Sequence, residues 1–426
     1  MSELIVSRKE HEPLPSGCNP KQWNDSYYKN PLLTWSNFGS KEDPPRNYWQ
    51  TYYRIGAQWL DEKREQALVV TPKIENIDFT EMFLSCLESG LAVTDFSKIY
   101  DIDFDQPAVP TNKLDTVLTP LIIIHFLTVV EGIAKRGLKR GYVHREENLK
   151  KVKGRIRILA NERKNIIPRR FDRVYCQYNE FTVDIPENRL IKKALLFAQR
   201  ELARLPNFKH YSKLILLENK CLAAFTQVSP EIELRDVKLI KSHKLFREYD
   251  LAVKLAKTIL RRNDYSLKKA SDDKKPTPVF WLDMALLFEH YVYSILHEQE
   301  RDRIQYQVSG AVGGKPDFLF SDVSRGRYIL DTKYMFLYKN NISLDIVNQL
   351  SGYSRDVGIL KKLGYNDNGE RENIVVPCVV LYPRDPEDTS KYNPDQILNE
   401  NNMRKVEKLT KFYKIGVALP REKQNG

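Results

Sequence analysis

The segment from Gly314 to Lys333 constrains the fold of this chain more than any other part of the sequence. It reads GKPDFLFSDVSRGRYILDTK, with two short apolar runs on either side of a polar turn. Asp317 and Asp331 are symmetric about position 324, the middle of that turn. A β-hairpin therefore places the two carboxylates opposite each other, with their Cβ atoms about 5 Å apart. Lys333 shares the face of Asp331 because it lies two residues further along the same strand.

Two carboxylates and an ammonium group that converge in this way require a chemical explanation. Neighbouring like charges share a proton, recruit a cation or are neutralised by a neighbour. The segment fits the pattern P-D-x(n)-[DE]-x-K, with Pro316 before Asp317. A divalent cation with a lysine beside it is the chemistry of phosphodiester hydrolysis. A structural ion pair is the alternative.

In the metal-binding interpretation the ion is Mg²⁺, for which Mn²⁺ can substitute, because every candidate ligand is an oxygen atom. Asp317, Asp331 and the backbone carbonyl of Thr332 are the expected ligands. Lys333 would lie near the attacking water and the scissile phosphate. There it would favour deprotonation of the water and stabilise the transition state.

Three further residues are candidates for the same site. Glu289 is a carboxylate within the apolar helical run 286–292. It either faces solvent or reaches the metal site from the helix that precedes the hairpin. Gln349 and Tyr353 are one helical turn apart and share a face. They either steady Lys333 or a phosphate, or belong to an ordinary helix surface.

The charge of the chain favours a polyanionic partner. The 426 residues carry a net charge of +12, and the run 150–173 contains ten basic residues against Glu162 and Asp172. This run could follow DNA phosphates, contact an acidic protein or face solvent. The candidate DNA-binding or partner-binding residues in it are Lys153, Arg155, Arg157, Arg163, Arg169 and Arg170.

Other features limit the compartment and the class of protein. Five cysteines without a C-x-x-C pair predict reduced thiols and a cytoplasmic location. The most apolar run, 121–130, is too short to span a bilayer and predicts a buried helix, with no membrane contact. The stretch 310–316 resembles a nucleotide-binding P-loop but fails its spacing, since Ser309 and Pro316 replace the required glycine and hydroxyl residue.

The periodicity predicts three regions. Residues 1–113 are expected to form a mainly β or mixed domain, and 114–275 a helical middle region. Residues 276–426 follow a polar linker and show the order α-β-β-β-α-β-β, which predicts an α/β domain with a mixed central sheet. The helices predicted in the middle region cover 119–136, 187–204, 209–225 and 243–262.

Several motifs resemble those of McrC, the nuclease subunit of the McrBC modification-dependent restriction systems. VKGRI at 152–156 resembles the K-G-R-I/L element of that family. YNEFTVDIPENRLIK at 178–192 resembles its D-E-[FL]-x-x-D-x-x-x-N-R-[IL]-[IL]-K block, which generic nucleases lack. LLFEHYV at 286–292 resembles the helix that opens the nuclease domain, and Asp317, Asp331 and Lys333 follow in the family's order.

The resemblance implies a PD-(D/E)xK nuclease fold at 276–426 and Mg²⁺-dependent cleavage of double-stranded DNA in a 5-methylcytosine type of restriction system. It also implies a partner, a McrB-like AAA+ GTPase hexamer, on which the N-terminal domain at 1–113 and the helical region dock and whose GTP hydrolysis they stimulate. The failed P-loop spacing fits a motor on another chain. Two alternatives stay open: a stand-alone repair or recombination nuclease, and a non-catalytic activator of a ring motor.

Overall fold

The computed structural model describes ten ranges of the chain: 4–15, 32–38, 46–61, 63–88, 98–103, 105–204, 211–233, 247–268, 276–335 and 342–421. Two compact units result. The first unit combines residues 1–118 with 276–426, and the second unit covers 119–275. The first and last segments of the chain, which the sequence assigned to different domains, therefore pack together.

The strands are β1 (Leu4–Lys9), β2 (Leu33–Phe38), β3 (Arg46–Thr51), β4 (Arg54–Trp59), β5 (Gln66–Thr71), β6 (Tyr100–Asp103), β7 (Val109–Pro110), β8 (Gly141–Leu149), β9 (Arg155–Ile156), β10 (Val174–Thr182), β11 (Pro276–Thr277), β12 (Val279–Asp283), β13 (Ile304–Tyr306), β14 (Phe318–Asp322), β15 (Gly326–Thr332), β16 (Cys378–Pro383), β17 (Arg404–Lys405) and β18 (Phe412–Val417). The helices are α1 (Phe79–Glu88), α2 (Asp115–Arg136), α3 (Ile158–Asn161), α4 (Pro186–Ala203), α5 (Ser212–Ala224), α6 (Arg247–Lys268), α7 (Met284–Glu300), α8 (Leu344–Tyr353), α9 (Val357–Lys362) and α10 (Asn368–Asn373). A π-helical turn follows α3, at Glu162–Ile166.

A five-stranded sheet in the first unit has the order β1-β5-β4-β12-β6. β1 runs parallel to β5, and the other neighbours are antiparallel. β12 lies between β4 and β6 and buries Phe280 and Leu282 on one face, the alternation typical of a half-buried strand. The segment after residue 276 therefore supplies a central strand to the sheet of the N-terminal segment.

The same sheet positions the start of helix α7. The carboxylate of Asp283 accepts the amide hydrogen of Leu286 at 3.1 Å and caps the helix. It also accepts from Nε of Arg54, at 3.2 Å. The amide of Met284 donates to the carbonyl of Tyr53 at 2.9 Å. Helix α7 thus begins on residues that belong to β4 or directly precede it.

A six-stranded mixed sheet in the first unit has the order β13-β14-β15-β16-β18-β17. β14 and β15 form the predicted hairpin, and its register pairs Phe318 with Leu330. The predicted symmetry about position 324 is therefore confirmed. β15, β16 and β18 are parallel, and buried residues of helices α8 and α9 pack on Leu319 and Ile329 of the hairpin.

The second helix of the predicted α-β-β-β-α-β-β order is wrong as a single element, because two helices occupy its place. Helix α8 ends at Tyr353, and α9 begins at Val357. The buried Asp356 carboxylate causes the break, because it accepts the amides of Gly358 and Ile359 as the cap of α9. The same carboxylate accepts two more amides, from Ala311 and Val312.

The second unit contains the predicted helices as α2, α4, α5 and α6, but it is not purely helical. β8, β10 and β9 form a three-stranded antiparallel sheet, in which Gly141 pairs with Thr182 and Leu149 with Val174. We call residues 141–182 the arm. The sequence prediction missed this sheet.

The apolar helix α2 and the described cysteines both lie in the interior of the protein. Helix α2 is long and apolar enough to cross a membrane, but 72% of its most apolar window is buried inside the protein, as in a core helix. No disulfide bond joins the described cysteines, which are all buried: Cys86, Cys176, Cys221 and Cys378.

Candidate active site

Asp317, Asp331 and Lys333 meet where the hairpin enters the mixed sheet. Asp317 directly precedes β14, and its Oδ2 accepts from the amide and the hydroxyl of Thr332 at 2.6 and 2.5 Å. Nζ of Lys333 donates to Oδ2 of Asp331. The amide of Lys333 donates to the carbonyl of Leu381 at 2.8 Å, which continues the pairing of β15 with β16. The hairpin thus places the two carboxylates and the ammonium group together.

The electrostatics of these carboxyl groups are those of a crowded acidic site. Burial raises the pKa of Asp331 to about 6, and the negative charge of Asp317 adds to this rise. Burial also raises the pKa of Asp317, although the hydrogen bonds from Thr332 oppose the shift. The Asp331 side chain is only 2% exposed. A cation bound at this position would offset both the cost of burying the two carboxylates and the repulsion between them.

Glu289 belongs to the same electrostatic environment. Burial raises its pKa to about 7, and the charges of Asp317 and Asp331 contribute further. Its Oε1 accepts from Nε2 of Gln307 at 2.7 Å, and Oε1 of Gln307 accepts from Nζ of Lys315 at 2.7 Å. Gln307 and Lys315 were missed by the sequence reasoning. Lys315 could have been found, because it lies two residues before Asp317.

Gln349 and Tyr353 do share one face of α8, since Nε2 of Gln349 donates to the hydroxyl of Tyr353 at 2.8 Å. The ring of Tyr353 packs against Gly314, where an added Cβ would approach to 3.0 Å. Within the described ranges, neither residue forms a hydrogen bond or ion pair with Asp317, Asp331 or Lys333. The structure therefore connects them to the loop before the hairpin and not directly to the acidic residues.

The donor set fits a hard cation. Mg²⁺ keeps several waters and is usually bound by one or two carboxylates, which Asp317 and Asp331 can supply together with the carbonyl of Thr332. Their raised pKa values are what uncompensated neighbouring carboxyl groups produce. Among the described residues, no three Asp, Glu, His or Cys side chains form a ready-made metal cluster. The residues present thus suit a Mg²⁺ ion that is bound by two carboxylates and completes its coordination shell with water.

The arm presents a second candidate surface. The six basic residues predicted for DNA or partner binding are all exposed on it: Lys153, Arg155, Arg157, Arg163, Arg169 and Arg170. Nine of the sixteen exposed large apolar side chains of the described residues also belong to the arm. More than two thirds of the residue is exposed at Tyr142, Ile158, Leu159, Ile167 and Phe171. Such a concentration of exposed apolar surface is typical of an interaction site.

The sequence block 178–192 anchors this arm. Asp184 accepts from Nε of Arg189 at 2.8 Å and from the amide of Ser229 at 2.9 Å. Nδ2 of the fully buried Asn188 donates to the carbonyls of Lys139 and Val183 at 2.9 and 2.7 Å. These bonds join the end of β10 and the approach to β8 to the first turn of α4. The block therefore has a structural role in the second unit.

An acidic pair with a lysine at the entrance of a mixed sheet is suited to metal-dependent phosphodiester hydrolysis. The family described as McrBC 5-methylcytosine restriction system component matches residues 58–358, more than half of the chain. The chain belongs to this family, and the resemblance drawn from the sequence motifs is confirmed at that level.

Two solved structures from Thermococcus gammatolerans are also similar. One is a refined half-complex from a tetradecameric assembly of McrB AAA+ hexamers with bound McrC, with a TM-score of 0.38 and 17% identity over 97% of this chain and 94% of that chain. The other is the McrBC complex, with a TM-score of 0.31 and 16% identity over 69% of this chain and 88% of that chain. The comparison with curated proteins found no match.

Proposed function

We propose that this chain is the nuclease subunit of a McrBC restriction system and cuts double-stranded DNA that contains modified cytosine, through a PD-(D/E)xK domain at 276–426. The observation that carries the proposal is the convergence of Asp317, Asp331 and Lys333 at the entrance of the mixed sheet, in a chain of this family. Stability alone does not account for this arrangement, because a buried ion pair rarely stabilises a fold more than apolar residues of similar volume do.

The residues have distinct roles in the proposed reaction. Asp317, Asp331 and the Thr332 carbonyl would hold Mg²⁺, which when bound supplies an activated water and neutralises charge on the phosphate. Lys333 would donate to the phosphate oxygen that gains charge in the transition state. Glu289, with a pKa of about 7, can take up or release a proton near neutral pH. Gln349 and Tyr353 would act through the loop at Gly314, by positioning DNA beside the site.

The partner in this proposal is an AAA+ GTPase hexamer of the McrB kind, and the arm is its docking surface. The exposed Ile158, Leu159 and Phe171 supply apolar contact area, and the surrounding arginines and lysines supply positive charge for an acidic rim. A docking role for residues 1–113 stays a prediction, since β1, β4, β5 and β6 of that segment belong to the sheet that holds α7.

The catalytic part of the proposal is tested with purified chain, GTPase partner, GTP, Mg²⁺ and 5-methylcytosine DNA, each omitted in turn. Cleavage should require every component and should stop with EDTA. Lys333→Ala and Asp331→Ala should each lower the rate by at least about 10²-fold. Lys405→Ala is the matched control, because it removes an exposed lysine from β17 of the same sheet. Full cleavage by either active-site variant would reject the nuclease site, and efficient cutting without partner would favour a stand-alone nuclease.

The docking part has a separate test. Ile158→Asp with Leu159→Asp should abolish stimulation of the partner's GTPase, because charge is placed where apolar area would be buried. Leu216→Asp serves as the control, since Leu216 is also exposed, on α5 of the same unit. Wild-type stimulation by the arm variant would locate docking elsewhere. Stimulation without any cleavage by the wild-type chain would support a non-catalytic activator.

A further inference from the structure

A buried polar cluster adjoins the catalytic strand from the N-terminal segment. Glu10 follows β1, Lys73 follows β5, and Tyr334 follows Lys333 directly. Nζ of Lys73 donates to the carbonyl oxygen of Tyr334 at 2.7 Å and lies 4.2 Å from the centre of its ring. The amide of Lys73 donates to Oε2 of Glu10 at 3.0 Å. Glu10 and Tyr334 are each 3% exposed.

Burying the charged groups of Glu10 and Lys73 in this cluster is energetically unfavourable. Burial lowers the pKa of Lys73 and raises the pKa of Glu10 to about 7, so both charged forms are disfavoured. The side chains of Glu10 and Tyr334 interact with each other in the same buried space. Apolar side chains of similar volume would stabilise such a position at least as well. Stability alone therefore does not explain the three residues.

The position of the cluster gives it a geometric consequence. On one side of Lys333, the amide of Thr332 is fixed by Asp317. On the other side, the carbonyl of Tyr334 is fixed by Lys73. β15 ends at Thr332, so the ladder bond from the Lys333 amide to Leu381 is the last bond of this strand to β16. The amide of Met335 donates to the carbonyl of Lys333 at 2.8 Å. The bond from Lys73 is thus the contact by which the N-terminal segment helps to hold the backbone directly after the lysine.

We propose that Lys73 is a positioning residue, which holds the backbone after β15 and so directs the side chain of Lys333 towards the scissile phosphate. The N-terminal segment then completes the nuclease site, because it supplies this bond in addition to the support of α7. The inference rests on the proposed function in so far as Lys333 acts on a phosphodiester.

The test compares the full-length chain with Lys73→Met, which keeps the length of the side chain and removes the donor. Lys73→Arg restores a charged donor. Lys9→Met is the control, because Lys9 ends β1 of the same sheet and its side chain forms an exposed ion pair with Glu75. Hydrogen exchange of the amides at 329–335 and cleavage kinetics with partner and DNA are measured on each.

Lys73→Met should speed amide exchange at 332–335 by at least about tenfold and should lower kcat by about 10- to 100-fold with KM unchanged, since displacement of a catalytic group by 1 Å can have that effect. Lys73→Arg should recover most of both losses, and Lys9→Met should match the wild type. Exchange that is unchanged, or that rises evenly over the whole first unit, would overturn the inference. A local rise in exchange in a chain that cuts no DNA would support the positioning role and reject the proposed function instead.

Discussion

Glu10 should make the free energy of unfolding of the first unit depend on pH, and the substitution Glu10→Gln should remove that dependence. Its carboxyl is buried, and its pKa rises to about 7 from a value of 4.5 that we take for the unfolded chain. The folded protein therefore binds a proton more tightly than the unfolded chain does, and stability falls as the pH rises from 4.5 to 7. Well above pH 7 the ionised group destabilises the fold by about 3 kcal/mol, since one pKa unit corresponds to about 1.4 kcal/mol.

The measurement is urea denaturation of wild type and Glu10→Gln at pH 5.5 and 7.5 in EDTA. All five tryptophans fall within residues 1–118 and 276–426, so their fluorescence reports the first unit. Because Glu10 is protonated at pH 5.5 and ionised at pH 7.5, it should make the free energy of unfolding of the wild type about 2 kcal/mol larger at pH 5.5. The glutamine variant should lack that part of the pH dependence. Subtracting the two proteins removes the contributions of Glu289 and Asp331, which titrate in both.

Glu75→Gln is the control for this experiment, because Glu75 lies on the surface of the same unit with 69% of its side chain exposed. Its pH dependence should match that of the wild type. If the wild type and Glu10→Gln lose equal stability between pH 5.5 and 7.5, then Glu10 is not a buried group of raised pKa and the reasoning is refuted.

Three other outcomes follow from the same geometry. Mg²⁺ should raise the Tm of the first unit at pH 7.5, because it binds the folded state alone, and a melting curve of Asp331→Asn should show no such rise. Glu289→Gln should flatten the pH profile of kcat between pH 6 and 8, as measured in single-turnover cleavage, since its pKa of about 7 lies in that range. Asp356→Ala removes the acceptor of four amides and should lower the free energy of unfolding by about 2–4 kcal/mol in urea.

The hairpin could be predicted from the sequence because its determinants are local. The turn, the symmetric placement of Asp317 and Asp331 and the apolar residues between them all lie within twenty residues, and the observed register agrees with them. The same holds for the mixed order of the sheet, which follows from the alternation of helices and strands. Local patterns, however, do not show that Asp356 bonds to the loop before the hairpin, because that contact joins residues 44 and 45 positions apart.

The sheet of the arm was missed because its strands do not look like half-buried strands. β8 is GYVHREENL and β10 is VYCQYNEFT, and neither alternates apolar with polar residues. Pairs across the two strands hold them together instead. Arg145 donates to Glu180 at 3.1 Å, the Tyr178 hydroxyl donates to Glu147 at 2.8 Å, and Tyr142 lies opposite Phe181. Such pairs cannot be identified from the sequence until the register between β8 and β10 is known.

The support of the proposed catalytic residues depends on contacts that no local pattern contains. Arg54 and Asp283 form an ion pair across 229 positions of sequence, and Lys73 reaches Tyr334 across 261. One contact fixes the start of the helix that carries Glu289, and the other fixes the backbone beside Lys333. Both contacts come from the ends of strands in one five-stranded sheet, so a displacement of that sheet would move an acidic group and the lysine together. In the proposed nuclease, this sheet therefore supports both the helix that carries Glu289 and the backbone beside Lys333.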